Sequence, residues 1–293
     1  AWALAGLPWK GHTDLLAHLT GTPQVAMLFW SEPLKVVLAT VHEALADVPA
    51  QLTRERLDGI IDIAASGLAA MGVHEPRLAL AGLNPHAGED GVIGPEEGAV
   101  LRPAVEAARA RGVTIEGPIP GDTVFVRASR GEFDAVIACY HDQGLIPIKL
   151  LNFDEGVNVT LGLPVRRSSP DHGTAFDIAG TGRARPDRLL AAIAHLAHST
   201  PPDMHFQSSA FHEYATRPIA EGGPVIRDGF MAMAGAPGLL MIDGMLDNFN
   251  DEKLKRVIAL LKSHQTDYIL LVSTRFPNIA KHFDQVIHLN KLK

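Results

Sequence analysis

Cysteine is almost absent from this chain of 293 residues, and long hydrophobic runs and clusters of basic residues are missing altogether. The single cysteine, Cys139, excludes an internal disulfide framework and is typical of a reducing compartment. No run of about 18 apolar residues occurs, so we expect no membrane insertion. The net charge is -7 and no Lys/Arg run resembles a phosphate track, so no nucleic-acid partner is expected. No signal peptide is visible, and the single cysteine leads us to expect a cytoplasmic protein.

Two phosphate-binding motifs are missing as well. No GxxxxGKS/T loop occurs that could cradle ATP phosphates, and no GxGxxG dinucleotide loop is found. The composition that remains is that of an ordinary globular protein, with 46% hydrophobic and 20% charged residues. Histidine is frequent, at 14 residues, and the placement of these histidines matters more than their number.

Strand-like and helix-like patterns alternate along the first half of the chain, which indicates an α/β architecture. Thr53 is expected to cap a long amphipathic helix that runs from Arg54 to Met71. A rigid Gly-Pro loop is predicted at 117–123. The other predicted elements are helices at 14–19 and from about 94 to 111, and strands at 25–29, 35–40, 77–81, 113–116 and 133–139.

The stretch from Ala138 to Gly182 carries an unusual density of reactive side chains. It opens where a buried strand gives way to a short polar segment, His141-Asp-Gln-Gly144, and we interpret all that follows as one continuous loop-rich segment. Open α/β sheets bind their ligands at the carboxyl ends of strands. We therefore look for the functional site here.

Three histidines, His42, His86 and His141, each follow a predicted strand by a few residues. Loops of this kind can meet at one edge of a sheet. Three neutral imidazoles with an open position are typical of a catalytic site for Zn²⁺ or a similar divalent ion. The alternative is that each is a hydrogen-bonded loop histidine, and the spacing alone does not decide between the two.

His12 and Thr13 stand at the start of the first predicted helix. They are either ordinary surface residues, with Thr13 as a possible cap, or a ring nitrogen and a hydroxyl placed beside helix-end N–H groups. The second arrangement would suit an anionic ligand.

Five motifs stand in order within residues 1–198. They are GHTDLL at 11–16, GLNPHAGE at 82–89, GPIPGDTVF at 117–125, YHDQGLIPIK at 140–149 and VNVTLGLPVRRSSPDHGTAFDIAGTG at 157–182. Together they closely resemble the 4-hydroxythreonine-4-phosphate dehydrogenase family. The resemblance implies an isocitrate-dehydrogenase-like α/β fold, incomplete here because family members begin with a further N-terminal segment. It also implies a homodimer whose site is shared between the subunits.

The resemblance also implies a role for particular residues. The implied metal ligands are His42, His86 and His141. The implied substrate-binding residues are His12, Thr13, Lys149, Asn158 and Arg167. The residues expected to assist catalysis are Asp122, Asp142 and Lys149. The residues expected to border the nicotinamide cofactor are Asp171, His172 and Thr174.

The reaction implied by the resemblance is oxidation of 4-phosphooxy-L-threonine, or a related phosphorylated four-carbon hydroxy acid, by NAD or NADP. The product is a β-keto acid that decarboxylates, as in pyridoxal phosphate biosynthesis. A divalent metal (Zn, Mg or Co) would lower the pKa of the substrate hydroxyl and polarise the new ketone. Arg167 and Lys149 suit the anionic groups of such a substrate. The family uses no GxGxxG loop, so the absence of this loop neither supports nor weakens the resemblance.

The tail of the chain resembles something else. Residues 199–217 are interpreted as a linker, and residues 218–293 resemble the C-terminal part of an ABC-transporter ATPase domain. Within this tail, residues 239–243 resemble a Walker B strand. A helix is predicted at 252–262, and the next strand is predicted at 268–273. Gly244 replaces the acid that would activate water, so we expect no ATP hydrolysis by this segment.

Two alternatives to the dehydrogenase therefore remain open. One is a nucleotide-binding or transport module defined by the tail. The other is a fusion remnant that folds or dimerises without turning over a substrate.

Overall fold

The computed structural model describes residues 9, 11–152, 156–170, 178, 191–192, 195, 239–243, 255, 258–259 and 269–273. These residues belong to two compact units. The first holds the described residues up to Leu163, apart from His18–Gly21, and the second holds His18–Gly21 and the described residues from Pro164 onward. In the described part of the chain, no helix has both the length and the apolar character of a membrane span.

Helices and strands alternate along the chain, as the sequence predicts. The helices are His12–Leu19 (α1), Val48–Gln51 (α2), Arg54–Ala70 (α3), Arg102–Ala110 (α4), Gly121–Ser129 (α5) and His141–Leu151 (α6). The strands are Ala26–Trp30 (β1), Lys35–Leu38 (β2), Leu78–Ala81 (β3), Ile115–Ile119 (β4), Ala135–Ala138 (β5), Val157–Leu161 (β6), Arg167–Pro170 (β7), Leu239–Asp243 (β8) and Ile269–Ser273 (β9). Three shorter elements are a 3₁₀ turn at Leu45–Asp47, a turn at Pro85–Gly91 and a π-helical turn at Glu97–Leu101.

The sheet of the first unit has the strand order β4-β3-β5-β2-β1-β6. Strands β4, β3, β5 and β2 are parallel to their neighbours, whereas β1 is antiparallel to both β2 and β6. Each parallel connection passes through a helix, which confirms the α/β architecture. All four residues of β3 and of β5 are buried, as expected for parallel strands covered on both faces.

Helix α3 is formed as its sequence predicts. The side chain of Thr53 accepts a hydrogen bond from the Arg56 N–H at 3.2 Å and so caps the helix. The buried residues of α3 are those of the predicted apolar stripe, namely Leu57, Ile60, Ile61, Ala64 and Leu68.

Helices α5 and α6 pack against one face of this sheet. Val124 and Phe125 of α5 and Leu145 and Ile148 of α6 join a single core cluster with alternate residues of β2, β3 and β5. This packing fixes the first turns of α5 and α6 beside the carboxyl ends of the strands.

Two predictions about local structure are wrong. The predicted loop at 117–123 is divided between the end of β4 and the start of α5, with Pro120 between them. The segment after Cys139 is not a continuous loop, because His141–Leu151 forms helix α6. Gly144 and Pro147 argue against a helix by propensity, but tertiary packing of Leu145 and Ile148 outweighs it. The other predicted boundaries differ from the structure by a few residues.

In the second unit, β7, β8 and β9 pair in parallel. The strands predicted at 239–243 and 268–273 are confirmed, the second with a start at Ile269. Three residues between them, Lys255, Ile258 and Ala259, are helical. The predicted linker at 199–217 lies outside the described residues.

Candidate active site

The three histidines of interest follow three adjacent parallel strands. In the sheet β5 lies between β3 and β2, and His86, His141 and His42 come after β3, β5 and β2 respectively. All three therefore leave the sheet at its carboxyl edge, where α/β proteins place their ligand sites. The expectation that one sheet edge gathers these loops is confirmed.

His141 is placed by helix α6, of which it is the first residue. Two residues later, the side chain of Gln143 joins the ends of β5 and β3. Its Oε1 accepts a hydrogen bond from the Cys139 N–H, and its Nε2 donates one to the Gly82 carbonyl, both at 2.7 Å. The amide thereby fixes the start of α6 relative to the segment that leads to His86.

His42 and His141 form a pair of neighbouring imidazoles. Their ring centroids are 5.7 Å apart with an interplanar angle of 41°. The Nδ1 of His141 shares a hydrogen bond of 2.7 Å with Oδ1 of Asp142, which leaves Nε2 of His141 for another partner. A carboxylate behind an imidazole is the usual outer support of a metal-binding histidine.

His86 is presented in an entirely different way. The turn Pro85–Gly91 contains five consecutive residues with left-handed backbone angles, at φ 54°, 51°, 79°, 43° and 53° for His86, Ala87, Gly88, Glu89 and Asp90. Four of the five are not glycine, and each of these costs on the order of 1–2 kcal/mol relative to a right-handed conformation. Such strain persists only where surrounding contacts enforce it, and it is concentrated at functional sites.

A buried carboxylate lies beneath this turn. Oε1 of Glu97 accepts the Asn84 N–H at 2.7 Å, and its Oε2 accepts the Asn84 side-chain amide at 2.9 Å. The same amide reaches Oε2 of Glu96 at 2.8 Å. Asn84 directly precedes the turn, so these bonds tie the base of the His86 segment to the π-helical turn Glu97–Leu101.

An open cleft of about 610 Å³ lies between the His86 turn and helices α5 and α6. Its polar lining includes the predicted site residues His86, Asp122 and Asp142, together with Gln143 and Tyr140. The apolar lining includes Phe125, Val126, Ile146 and Pro147. Asp122 lies in the first turn of α5. The cleft therefore brings an imidazole and two carboxylates to one surface, a set that can accept and donate protons.

The predicted ligands are of a type that divalent metal ions accept. Imidazole nitrogens suit Zn²⁺ and related ions, and two of the three predicted ligands are already adjacent. Within the described part of this single chain, no group of three or more His, Cys, Asp or Glu side chains is arranged to hold a metal. The structure thus brings His42 and His141 together and places His86 apart from them, in the cleft.

Cys139 can be removed from the candidate ligands and nucleophiles. It is fully buried, and its Sγ donates to the Ala81 carbonyl at 3.2 Å. Burial, and then the negative charge of Glu97, raise the pKa of the Cys139 thiol far above its ordinary value. A thiol that does not ionise serves as a small core residue.

The other predicted substrate-binding residues lie on separate elements. His12 and Thr13 are the half-buried first residues of α1, and Lys149 is half-buried in the last turn of α6. Asn158 lies on β6, and its buried Oδ1 has no hydrogen-bond donor among the residues that the structure describes.

Arg167, in the second unit, begins β7 and is only 6% exposed. Burial lowers its pKa to about 10, so the guanidinium remains charged at neutral pH. The predicted cofactor-binding residues Asp171, His172 and Thr174 lie outside the described residues.

Three residues of this site carry no sequence signal that identifies them as site residues. Gln143 stands within a polar segment, but no pattern indicates that its amide joins two strands. Asn84 stands in a recognised motif without an assigned role, and Glu97 resembles an ordinary acid in the first turn of a surface helix. Only the fold shows that Glu97 is buried and bonded to Asn84.

The first two thirds of the chain are similar to known proteins. The family model for the pyridoxal phosphate biosynthetic protein PdxA matches residues 1–196. A 4-hydroxythreonine-4-phosphate dehydrogenase from Desulforapulum autotrophicum is 51% identical over 194 residues, which are 66% of this chain and 57% of that protein. A D-threonate 4-phosphate dehydrogenase from Pectobacterium atrosepticum is 48% identical over 189 residues, 64% of this chain and 58% of that protein.

A solved structure gives the same result. The crystal structure of 4-hydroxythreonine-4-phosphate dehydrogenase from Klebsiella pneumoniae superimposes with a TM-score of 0.61 at 48% identity, over 66% of this chain and 59% of that one. The chain thus spans less than two thirds of the length of the relatives that it matches. The comparisons give no support to the resemblance of residues 218–293 to an ABC-transporter ATPase. Matched over most of its length by the family model, the chain belongs to the PdxA family of pyridoxal phosphate biosynthetic proteins.

Proposed function

We propose that the protein, as part of a homodimer, oxidises 4-phosphooxy-L-threonine or a closely related phosphorylated hydroxy acid with NAD or NADP. The observation that carries the proposal is the His42–His141 pair, backed by Asp142, at the carboxyl edge of β2 and β5. The family to which the chain belongs contains dehydrogenases of such substrates. The lone buried cysteine fits a cytoplasmic location.

In this proposal His42 and His141 hold a divalent metal, with Zn, Mg and Co as the candidates. Asp142 contacts Nδ1 of His141, which leaves Nε2 of that ring to face a ligand. The exposed His86 completes the site of the partner subunit. The bound ion would polarise the substrate hydroxyl and the ketone formed from it.

The remaining residues bind the substrate and handle its protons. Lys149 and Arg167 neutralise the phosphate and carboxylate, and the persistent charge of Arg167 at neutral pH suits this role. The buried amide oxygen of Asn158 is available to accept a hydrogen bond from a substrate hydroxyl. His12 and Thr13 provide further polar contacts at the start of α1.

Proton removal from the substrate is proposed for the carboxylates of the cleft. Asp122 and Asp142 line it, and either can accept a proton from a hydroxyl within hydrogen-bond reach. Asp171, His172 and Thr174 are proposed to border the nicotinamide ring.

The test measures divalent metal in the purified chain and in the His86→Ala variant, with His74→Ala as the control. His74 is also exposed but lies in the connection before β3, away from the carboxyl edge of the sheet. We expect about one metal ion per site in the unaltered protein and in His74→Ala. The His86→Ala variant should lose more than about 100-fold in affinity, since losing even an outer-shell partner costs 10–100-fold. A chain that retains no divalent metal would contradict the proposal.

Substrate choice is decided by a second assay. Formation of NADH or NADPH is followed with 4-phosphooxy-L-threonine and with D-threonate 4-phosphate, the two substrate classes indicated by the relatives. A protein that binds metal yet reduces neither cofactor with either substrate would leave the non-catalytic alternative in place.

The homodimer is tested by dilution. If His86 serves the partner's site, metal affinity should fall once the protein is diluted below its dimer dissociation constant. Unchanged affinity in a proven monomer would show that the ligand assignment is wrong.

A further inference from the structure

Glu97 is a carboxyl residue in a place where an unpaired polar group is costly. It is only 2% exposed, and no basic side chain in the described part of the chain forms an ion pair with it. An ionised carboxylate in such a position needs strong hydrogen bonds to compensate its lost hydration. Asn84 supplies two, one from its backbone N–H and one from its side-chain amide.

The position of Asn84 explains what these bonds achieve. Asn84 has an extended backbone, at φ -90° and ψ 158°, and the next residues enter the left-handed turn. Its carbonyl accepts the Ala87 N–H at 3.1 Å, which closes the first part of that turn. Glu97 therefore holds the residue from which the turn starts, in both its main chain and its side chain.

The same carboxylate also contacts the middle of the turn. A Cβ placed on Gly88 would lie 2.6 Å from Oε2 of Glu97, so the carboxylate occupies the space directly against this glycine. Gly88 has φ 79°, and the Ile93 N–H bonds back to its carbonyl at 3.1 Å. The turn is thus held by Glu97 at its start and supported by it at its centre.

We propose that Glu97 is a positioning residue that holds the left-handed turn Pro85–Gly91 and thereby fixes where His86 is presented. Glu97 opens a π-helical turn, an irregularity that is frequent at functional sites. The placement of His86 stands on the contacts above. Its consequence for metal binding rests on the proposed function.

The first experiment tests the turn in the metal-free protein. Amide hydrogen exchange is measured for residues 84–93 in the full chain and in the Glu97→Ala and Glu97→Gln variants. Without Glu97 the turn loses the two hydrogen bonds from Asn84, so we expect its amides to exchange about tenfold faster or more in Glu97→Ala. Glu97→Gln keeps an acceptor for the Asn84 N–H but not for the Asn84 amide, and should lie between the two.

A matched variant separates positioning from general stability. Leu101→Ala removes a fully buried side chain from the same π-helical turn without touching Asn84. It should lower Tm, yet leave exchange in residues 84–93 unchanged relative to the rest of the chain. Equal acceleration in Leu101→Ala and Glu97→Ala at equal loss of Tm would overturn the proposal, as would unchanged exchange in Glu97→Ala.

The second experiment uses Co²⁺ as a spectroscopic probe of the ligand geometry. In Glu97→Ala we expect the Co²⁺ affinity to fall about tenfold and the visible absorption bands to shift, with partial recovery in Glu97→Gln. Leu101→Ala should keep the bands of the unaltered protein. If the unaltered protein binds no Co²⁺, the proposed function fails, whereas hydrogen exchange still decides the role of Glu97.

Discussion

Two neighbouring strands present a histidine at the same edge of the sheet by opposite means. After β5 the chain enters a regular helix, and His141 is simply its first residue. After β3 the chain enters a left-handed turn, in which His86 and three other non-glycine residues hold unfavourable backbone angles. A regular helix holds His141 in place, whereas His86 depends on the side chain of Glu97, which comes from a later segment of the chain.

The helix and the turn are held by different kinds of contact. The start of α6 is determined by its own packing, through Leu145 and Ile148, and by Gln143 two residues along. The turn Pro85–Gly91 buries little of itself and depends on Glu97, which lies about ten residues further along the chain. The histidine at the helix start therefore depends on the packing of its own helix, while the histidine on the strained turn depends on a side chain from another segment.

The largest expected effect comes from lifting α6 off the sheet. A Cβ on Gly144 would meet Cγ1 of Val36 at 2.6 Å and Cδ2 of Leu38 at 2.9 Å. Gly144→Ala should therefore cost about 2–3 kcal/mol in the free energy of unfolding, measured in urea. Gly98→Ala is the control, because nothing lies within 4 Å of its added Cβ, and it should be neutral or slightly stabilising. A neutral Gly144→Ala would show that α6 is not held as tightly as its packing indicates.

Removing the Gln143 amide, which joins the ends of β5 and β3, should lower the free energy of unfolding by a smaller amount. Gln143→Leu leaves the Cys139 N–H and the Gly82 carbonyl without their partner, for a loss of about 1–2 kcal/mol in the free energy of unfolding. We also expect faster hydrogen exchange at the Cys139 amide. Gln51→Leu, at the end of α2, provides a comparison on a half-buried glutamine outside the cleft. Equal effects in the two variants would argue against a joining role for Gln143.

The carboxylate behind His141 should matter still less, since its side chain is 72% exposed. Asp142→Ala should weaken divalent-metal binding by about tenfold, the lower end for an outer-shell partner. The measurement is a competition titration with a chelator, and the exposed Asp47→Ala serves as control. An unchanged metal affinity would mean that the His141 ring is oriented by other contacts.

The smallest effect on the free energy of unfolding is expected at the amino ends of β3 and β5, opposite the histidines. Arg77 precedes β3, Asp134 precedes β5, and Nε of Arg77 donates to Oδ2 of Asp134 at 3.0 Å. Burial acts to raise the pKa of Asp134, but its hydrogen bonds and charge interaction with Arg77 outweigh burial, so the pKa lies below its ordinary value. A lowered carboxyl pKa adds stability that is present above the unfolded pKa, about 3.9, and is lost as pH falls through the folded value.

Asp134→Asn should therefore cost about 1 kcal/mol at neutral pH. The difference from the unaltered protein should shrink as the pH is lowered below about 4. Chemical denaturation at several pH values measures both. A difference that stays constant down to the lowest pH would show that the charge of Asp134 contributes nothing.

The sequence predicts much of this molecule because much of it follows local rules. The cap at Thr53, the apolar stripe of α3 and the placing of three histidines after three strands all depend on residue spacing, and all are found in the structure. The sequence does not predict helix α6, because Gly144 and Pro147 disfavour it locally, while the contacts that stabilise it come from β2 and β5. It does not predict the left-handed turn or its support by Glu97 either, since both depend on contacts between separate segments.

The lone thiol of Cys139 has a practical consequence. Its Sγ is buried and bonded to the Ala81 carbonyl of β3, so a reagent such as a chromogenic disulfide can react with it only when this part of the structure opens. Because the chain has no other cysteine, the rate of its reaction reports one event in one place. The rate at which Cys139 reacts with such a reagent therefore measures how often this buried position opens, and no label has to be introduced.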